Sequence, residues 1–284
     1  MRSLLFVPGD SPRKVAKAAA SSADVVIFDL EDAVRPDAKS EARSIVRAAL
    51  EAPRGGPLRY VRVNSLGAPG CDEDLEAVLP LQPDGVMLPK LEGPHDLVTV
   101  SDKIERLEPA DRAGRTKIIA VCTETPAATL SLASRSWAHP RLAGLLWGGE
   151  DLSVALGSAT NRDDAGLYTA PFALARSLCL LAARAAGATP IDAVFTNFRN
   201  DAGLRNEAEA ARRDGFSAKA AIHPAQIETI NACFSPTDAE RAWAQRVIEA
   251  FERDSSGALQ LDGGMLDAPH LERARRIMAT AQRK

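Results

Sequence analysis

Short apolar runs recur along the chain, each followed by a longer stretch in which apolar residues return at helical spacing. The runs are Ser3–Gly9 (SLLFVPG), Asp24–Asp32 (DVVIFDLED), Leu58–Ser65 (LRYVRVNS) and Asp84–Lys90 (DGVMLPK). They continue with Lys117–Thr125 (KIIAVCTET), Leu142–Asp151 (LAGLLWGGED), Ile191–Asn197 (IDAVFTN) and Ala218–Pro224 (AKAAIHP). Most are continuous rather than alternating, the pattern of parallel strands covered on both faces. Between them, Pro36–Leu50 opens on Pro and Asp and repeats Ala, Ile, Val and Leu at helical spacing. Asp164–Ala186 is rich in Ala and Leu and stops at Gly187, a predicted C-terminal cap. Eight alternating units predict a closed (β/α)8 TIM barrel. A doubly wound sheet is the runner-up, but no G-x-G-x-x-G follows any run.

The pattern divides the chain into a barrel catalytic domain over 1–234 and a C-terminal helical extension over 235–284. Within the extension, Ser235–Asp254 is amphipathic and begins with a good N-cap. Ser255–Pro269 (SSGALQLDGGMLDAP) reads as a Gly-rich, weakly structured connector, and 268–284 as a final helix. Two roles are open to it: packing on the bottom of the barrel, or acting as a mobile lid.

Composition narrows the class. The 284 residues are 45% hydrophobic and 26% charged, enough for a sizeable core, and the net charge of −3 gives no reason to expect nucleic acid or an anionic membrane. No apolar run approaches the roughly 18 to 20 residues that span a bilayer. The N-terminus reaches Pro8-Gly9-Asp10 too soon for a signal peptide. Cys71, Cys122, Cys179 and Cys233 lie far apart, as reduced thiols do in a cytoplasmic protein.

In such a barrel the chemistry sits at the C-terminal ends of the strands. Those ends carry Asp29, Glu31, Asp32, Arg62, Asn64, Lys90, Glu124, Glu150, Asp151, Asn197 and His223. Many carboxylates facing few cations suggest a hard, oxygen-liganded ion such as Mg²⁺. Glu124 and Asp151 end the adjacent fifth and sixth strands, so their carboxylates could share one ion. Zinc is disfavoured, because His223 is the single rim histidine. A structural lattice of paired charges is the competing explanation. His223 reads as a hydrogen-bonded strand-end residue in preference to a base, and Trp147 as wall in preference to a stacking platform.

The ordered motifs RSLLFVPGD, DVVIFDLEDAV, VRVNS, VMLPK, ETP, GGEDL and GFSAKAAIHPAQI resemble the citrate lyase β-subunit-like group of the HpcH/HpaI aldolase superfamily, which includes malyl-CoA and citramalyl-CoA lyases. The resemblance runs from Arg2 to about Ala281. It implies a Mg²⁺-dependent barrel (Mn²⁺ being the alternative ion) that makes or breaks a carbon–carbon bond beside a thioester. Carried over by motif, Glu124 and Asp151 are the metal ligands, and Arg62 grips the keto acid. The lid motif GGMLDAP makes Asp267 the acid–base residue, reaching into a neighbouring subunit's site. Arg13 and Lys17 become candidates for the CoA phosphates.

The implied partners are a keto acid and an acyl-CoA thioester, in a homo-oligomer, trimeric or hexameric. A thioesterase acting on the same acyl-CoA class is one alternative. Another is the β subunit of a multi-subunit citrate lyase working on an acyl-carrier-protein thioester. Asn197 and Asn200 stand where relatives often carry acids, which points to a different substrate range, and Ala127 stands where many carry a larger or basic residue, which opens space near the metal.

Overall fold

The computed structural model describes residues 1–253 and 258–281. Eight parallel strands close into a barrel in sequence order. They are β1 (Ser3–Pro8), β2 (Val25–Asp29), β3 (Leu58–Arg62), β4 (Gly85–Leu88), β5 (Lys117–Val121), β6 (Leu142–Leu146), β7 (Thr189–Asp192) and β8 (Ala218–Ala221). Closure pairs β1 with β8 at Leu4–Ala220 and Leu5–Ala221. The surrounding helices are α1 (Pro12–Ala19), α2 (Lys39–Glu51), α3 (Cys71–Val78), α4 (Pro94–Leu107), α5 (Pro126–Ser134), α6 (Gly149–Leu156), α7 (Ala170–Ala185), α8 (Asp201–Asp214) and α9 (Ile227–Cys233). The C-terminal part holds α10 (Asp238–Arg253), β9 (Ala258–Leu261), β10 (Gly264–Asp267) and α11 (Ala268–Ala281).

The barrel is filled, not open. Leu4, Ile27, Tyr60, Met87, Ile119, Leu146 and Ile191 interdigitate inside it. Burying each aliphatic side chain contributes about 1.5–3 kcal/mol. Gly85 makes room for Tyr60, since a Cβ there would lie 2.2 Å from the tyrosine ring. The residues on the outer faces of the strands meet the helices. Among them is Lys219, which is fully buried.

The (β/α)8 architecture agrees with the hydrophobic pattern, but several boundaries do not. Strand β7 runs from Thr189 to Asp192, not from Ile191 to Asn197. Ala193 and Val194 leave the ladder and line a cavity at the barrel mouth instead. The helix expected from Asp164 begins at Ala170, because Pro171 fixes its first turn. The residues before it form a turn in which the Asp163 carboxylate accepts from the N–H groups of Ala165 and Leu167. The helix does end as expected, with Gly187 at φ +68. Pro36–Ala38 forms a separate 3₁₀ turn ahead of α2.

By contacts the chain forms two compact units, Met1–Asn231 and Ala232–Lys284. The second has its own small core, in which Ala244, Val247, Leu266 and Ala274 are buried among Trp243, Phe251, Leu259 and Ile277. Its expected weakly structured connector is a β-hairpin from Ala258 to Asp267, turning at Asp262-Gly263 with φ of +51 and +80. Asp-Gly in a two-residue turn is a strong hairpin signal, and it was masked in the sequence by the glycine-rich surroundings. Residues 255–257 of that connector and 282–284 of the final helix lie outside the described residues. Thr237 and Glu240 form a reciprocal capping box at the start of α10. Among the described residues no helix is long and apolar enough to cross a membrane.

Candidate active site

The strand ends of the barrel converge on one cavity, lined on its polar side by Arg62, Glu124, Glu150, Asp151 and Tyr168. Its other wall is apolar, built from Phe6, Val121, Leu146, Trp147, Ala193 and Val194. Glu124 follows β5 and Asp151 sits in the first turn of α6, so the barrel's alternation delivers both carboxylates to one mouth.

Arg62, at the end of β3, is held from two sides. Its Nε and Nη2 donate to Asp29 Oδ1 and Oδ2 at 2.9 and 2.5 Å. Its Nη1 stands 2.9 Å from Glu31 Oε2, and the guanidinium lies 5.1 Å from the Phe6 ring centre. Burial works against its charge, but Asp29 and Glu31 outweigh that and raise its pKa further. Three of the five N–H donors of a guanidinium are thus engaged, which leaves two for a ligand. Asp29 is the residue the sequence placed on the rim without a task. Its own Oδ1 also accepts the Glu31 backbone N–H at 2.8 Å.

Lys90 is the second hub, and its role was not foreseen. It has a positive φ of +53, a conformation that costs a non-glycine residue roughly 1–2 kcal/mol. That twist turns both ends of the residue toward the acids. The backbone N–H donates to Glu124 Oε2. The ammonium reaches Glu31 at 2.5 Å, Asp32 at 3.0 Å and Asp151 at 3.6 Å. Burial works against the Asp32 charge, yet the Lys90 ammonium holds its carboxyl below the usual range. At Glu31 burial prevails and raises the pKa despite Arg62 and Lys90. A lysine just past a strand end, in VMLPK, was the available signal.

Glu124 is buried, and that burial, with Asp151 and Glu31 nearby, pushes its carboxyl up to about 8 against the pull of the Lys90 N–H. The three carboxylates of the cavity therefore face one guanidinium already shared with Asp29 and Glu31, and, at Asp151, one ammonium already shared with Glu31 and Asp32. This all-oxygen, charge-deficient donor set fits a hard divalent cation. Among the described residues there is no group of three or more His, Cys, Asp or Glu side chains that could hold an ion by themselves. A cation here would rest on two or three carboxylates and take its remaining oxygens from water or substrate.

Glycine at position 148 is what lets the two acids share the mouth. A Cβ there would lie 2.8 Å from Glu124 Cγ and 3.2 Å from Val121 Cγ1. Gly148→Ala is expected to push Glu124 aside, lowering divalent-cation affinity roughly 10- to 100-fold and stability by about 1–3 kcal/mol. Calorimetric titration and thermal melts measure the two effects; an alanine variant with unchanged affinity would refute the close-approach role.

Other expected residues fall elsewhere. Arg13 and Lys17 are exposed on α1 and line a neighbouring cavity with Lys14 and His223, and Phe6 borders both cavities. His223 accepts from the Ala225 N–H and stacks on Phe198 at 4.7 Å, the role of a fixed strand-end residue. Trp147 is wall: its Nε1 donates to Asp192 at 2.8 Å, and its ring meets Tyr168 edge-on at 4.7 Å. Glu150 accepts from Asn161 at 2.9 Å, and Asn200 caps α8. Asp267 ends β10 in the C-terminal unit, half-exposed, with its Oδ1 2.6 Å from His270 Nδ1.

Residues 2–224 match the HpcH/HpaI aldolase/citrate lyase family. The chain is 39% identical over 285 residues to a (3S)-malyl-CoA thioesterase of Cereibacter sphaeroides, covering 99% of this chain and 94% of that protein. It is 35% identical over 287 residues to a citrate lyase subunit beta of Haemophilus influenzae, covering 99% and 97%. Among solved structures it resembles the CitE protein of Mycobacterium tuberculosis in complex with magnesium, acetoacetate and coenzyme A, with a TM-score of 0.80, 35% identity, and coverage of 99% and 97%.

Proposed function

The chain belongs to the HpcH/HpaI aldolase/citrate lyase family, and from that premise we propose that it is a Mg²⁺-dependent carbon–carbon lyase acting on a 3-hydroxyacyl-CoA. The products are a keto acid and a shorter acyl-CoA. The observation that carries this reading is the convergence of Glu124 and Asp151 with Arg62 in one cavity. Magnesium, acetoacetate and coenzyme A in the Mycobacterium tuberculosis protein support it.

Glu124 and Asp151 would hold the cation, with water and substrate oxygens completing its ligands. When bound, the ion supplies Lewis-acid polarisation of the hydroxy-acid oxygens. The two unengaged N–H donors of Arg62 bind the keto-acid carboxylate, and the Asp29–Glu31 cradle keeps the guanidinium plane fixed as the carbonyl forms. As the hydroxyl proton passes to water and the carbonyl forms, the carbon–carbon bond breaks and its electron pair passes into the thioester enolate. Asp267, reaching in from a neighbouring subunit, then protonates the α-carbon, and in condensation it removes that proton. Arg13 and Lys17 meet the CoA phosphates. A homo-oligomer belongs to the same reading, and light scattering of the purified protein tests it.

The cavity also bears on the choice of keto acid. Among its lining residues Arg62 is the sole cation, and the facing wall is apolar. A keto acid with one carboxylate and a small substituent, such as glyoxylate or pyruvate, fits that balance better than oxaloacetate. A second reading, hydrolysis of the thioester, is favoured by the 39% identity to the malyl-CoA thioesterase. Incubation with Mg²⁺ and malyl-, citramalyl- or citryl-CoA separates the readings. We expect glyoxylate or pyruvate with acyl-CoA from the first two. Free hydroxy acid with CoA, and no keto acid, would replace the lyase by a thioesterase.

A further inference from the structure

The C-terminal unit contains one pairing that the proposed reaction does not yet use. His270, in the first turn of α11, places Nδ1 2.6 Å from Asp267 Oδ1. When it carries no proton, the same Nδ1 also accepts the Asp267 backbone N–H, at 3.3 Å. A contact of 2.6 Å between these atoms requires a proton on one of them, and the geometry accepts either. With the proton on the ring, Nδ1–H donates to the carboxylate. With it on the carboxyl, the ring nitrogen accepts from both the side chain and the backbone. Both side chains are about two-fifths exposed, 40% for His270 and 41% for Asp267, so the ring keeps contact with water while the carboxyl is engaged. Arg246 pairs with Asp262 at the hairpin turn, Glu272 with Arg276 at 3.0 Å, and Arg273 lies over the Trp243 ring.

We propose that His270 relays the catalytic proton between Asp267 and solvent, an inference that rests on the reading of Asp267 as the acid–base group. The 2.6 Å contact is that of the loaded pair, with one proton shared between Oδ1 and Nδ1. In condensation the α-proton of the thioester moves to the ionised Asp267 carboxylate while Nδ1 is bare, passes on to Nδ1, and the imidazolium releases a proton from Nε2 to water. In cleavage the steps reverse, and Asp267 is reprotonated through the ring. No oxidant or further reactant is needed: one proton enters at Nδ1 and one leaves at Nε2, and exchange with water returns the ring from the Nδ1–H to the Nε2–H tautomer before the next turn. Histidine suits this task because its ordinary pKa lies near neutrality.

The test follows exchange of the α-hydrogens of acetyl-CoA with D2O by NMR, in the presence of Mg²⁺. Four full-length chains are compared: wild type, Asp267→Asn, His270→Ala and His270→Asn. Asp267→Asn is expected to abolish exchange. His270→Ala is expected to slow it roughly 100-fold, the scale of a lost acid–base partner, with an unchanged melting temperature and partial recovery on adding imidazole. His270→Asn keeps an N–H donor near the position of Nδ1 but cannot carry a proton onward, so it is expected to stay as slow as the alanine variant. An undiminished rate in His270→Ala overturns the relay. So does a loss that asparagine repairs and imidazole does not, which would leave the ring only a positioning role. Full exchange in Asp267→Asn overturns the reading of Asp267, and with it the relay. Absence of exchange in the wild type overturns the thioester chemistry and everything built on it.

Discussion

Glu124→Gln is expected to lower turnover by roughly 10³-fold and to abolish measurable Mg²⁺ binding at millimolar concentrations, while leaving the fold intact. The substitution keeps the shape of the side chain and an oxygen that can accept the Lys90 N–H. It removes the carboxyl that a bound cation would hold ionised, and that charge is what the cavity has to offer a cation. Asp151→Asn is expected to act in the same direction. Because the two ligands would share one ion, the double variant should lose little more than either single one, the non-additivity of groups that act as a unit. Isothermal titration with Mg²⁺ and a keto-acid release assay read the two effects separately. Unchanged metal affinity in both single variants would sink the assignment and favour the alternative reading of a structural charge lattice. That alternative has some substance here, since Lys90 already reaches Glu31, Asp32 and Asp151. The lattice and the metal site are adjacent and meet at Asp151, 3.6 Å from the Lys90 ammonium: Asp29, Glu31 and Asp32 bind cationic side chains, while among the described residues Glu124 accepts from the Lys90 backbone N–H.

The barrel was legible because its signal is redundant. Eight apolar runs at regular intervals survive errors of several residues in any one of them. The site was legible for a related reason, since the fold sends every strand end to one mouth and makes rim chemistry a matter of position. What escaped was decided by single side chains. Asp192 looked like the start of a longer strand, but it ends β7 and turns to Lys219 and Trp147. Lys90 depends on a left-handed backbone that no composition or period announces. The hairpin of the C-terminal unit depends on two residues, Asp262 and Gly263, inside a stretch whose glycines suggest a loop. His270 had no pattern at all; only the fold of β10 into α11 brings it to Asp267.

Lys219→Met is expected to destabilise the protein by about 3–5 kcal/mol, the cost of breaking a buried ion pair from one side. The lysine on β8 is fully buried and donates to Asp192 Oδ2 at 2.7 Å, to the Ala193 carbonyl at 2.7 Å and to Glu207 Oε1 at 2.8 Å. Methionine fills similar space and leaves Asp192 buried with only Arg176 and the Trp147 indole to answer it. Burial by itself would raise the Asp192 pKa, but Lys219 and Arg176 hold it below the usual carboxylate range. The sign of the pH effect follows. A depressed carboxyl contributes stability above the unfolded value, about 3.9, and that contribution is lost as pH falls through the lower folded value. Removing Lys219 raises the folded value, so the variant should begin to unfold at a higher pH than the wild type. Denaturant melts from pH 3 to pH 7 measure both the loss and its shift. Adding Asp192→Asn to Lys219→Met should restore part of the stability, because the stranded charge is gone; if the double variant is less stable than the single one, Asp192 is not the group at risk. The same network reaches the active cavity, since Asp192 fixes the indole that walls it. A loss of turnover in Lys219→Met beyond its unfolded fraction would therefore measure how far the barrel's buried charges hold the cavity wall in place.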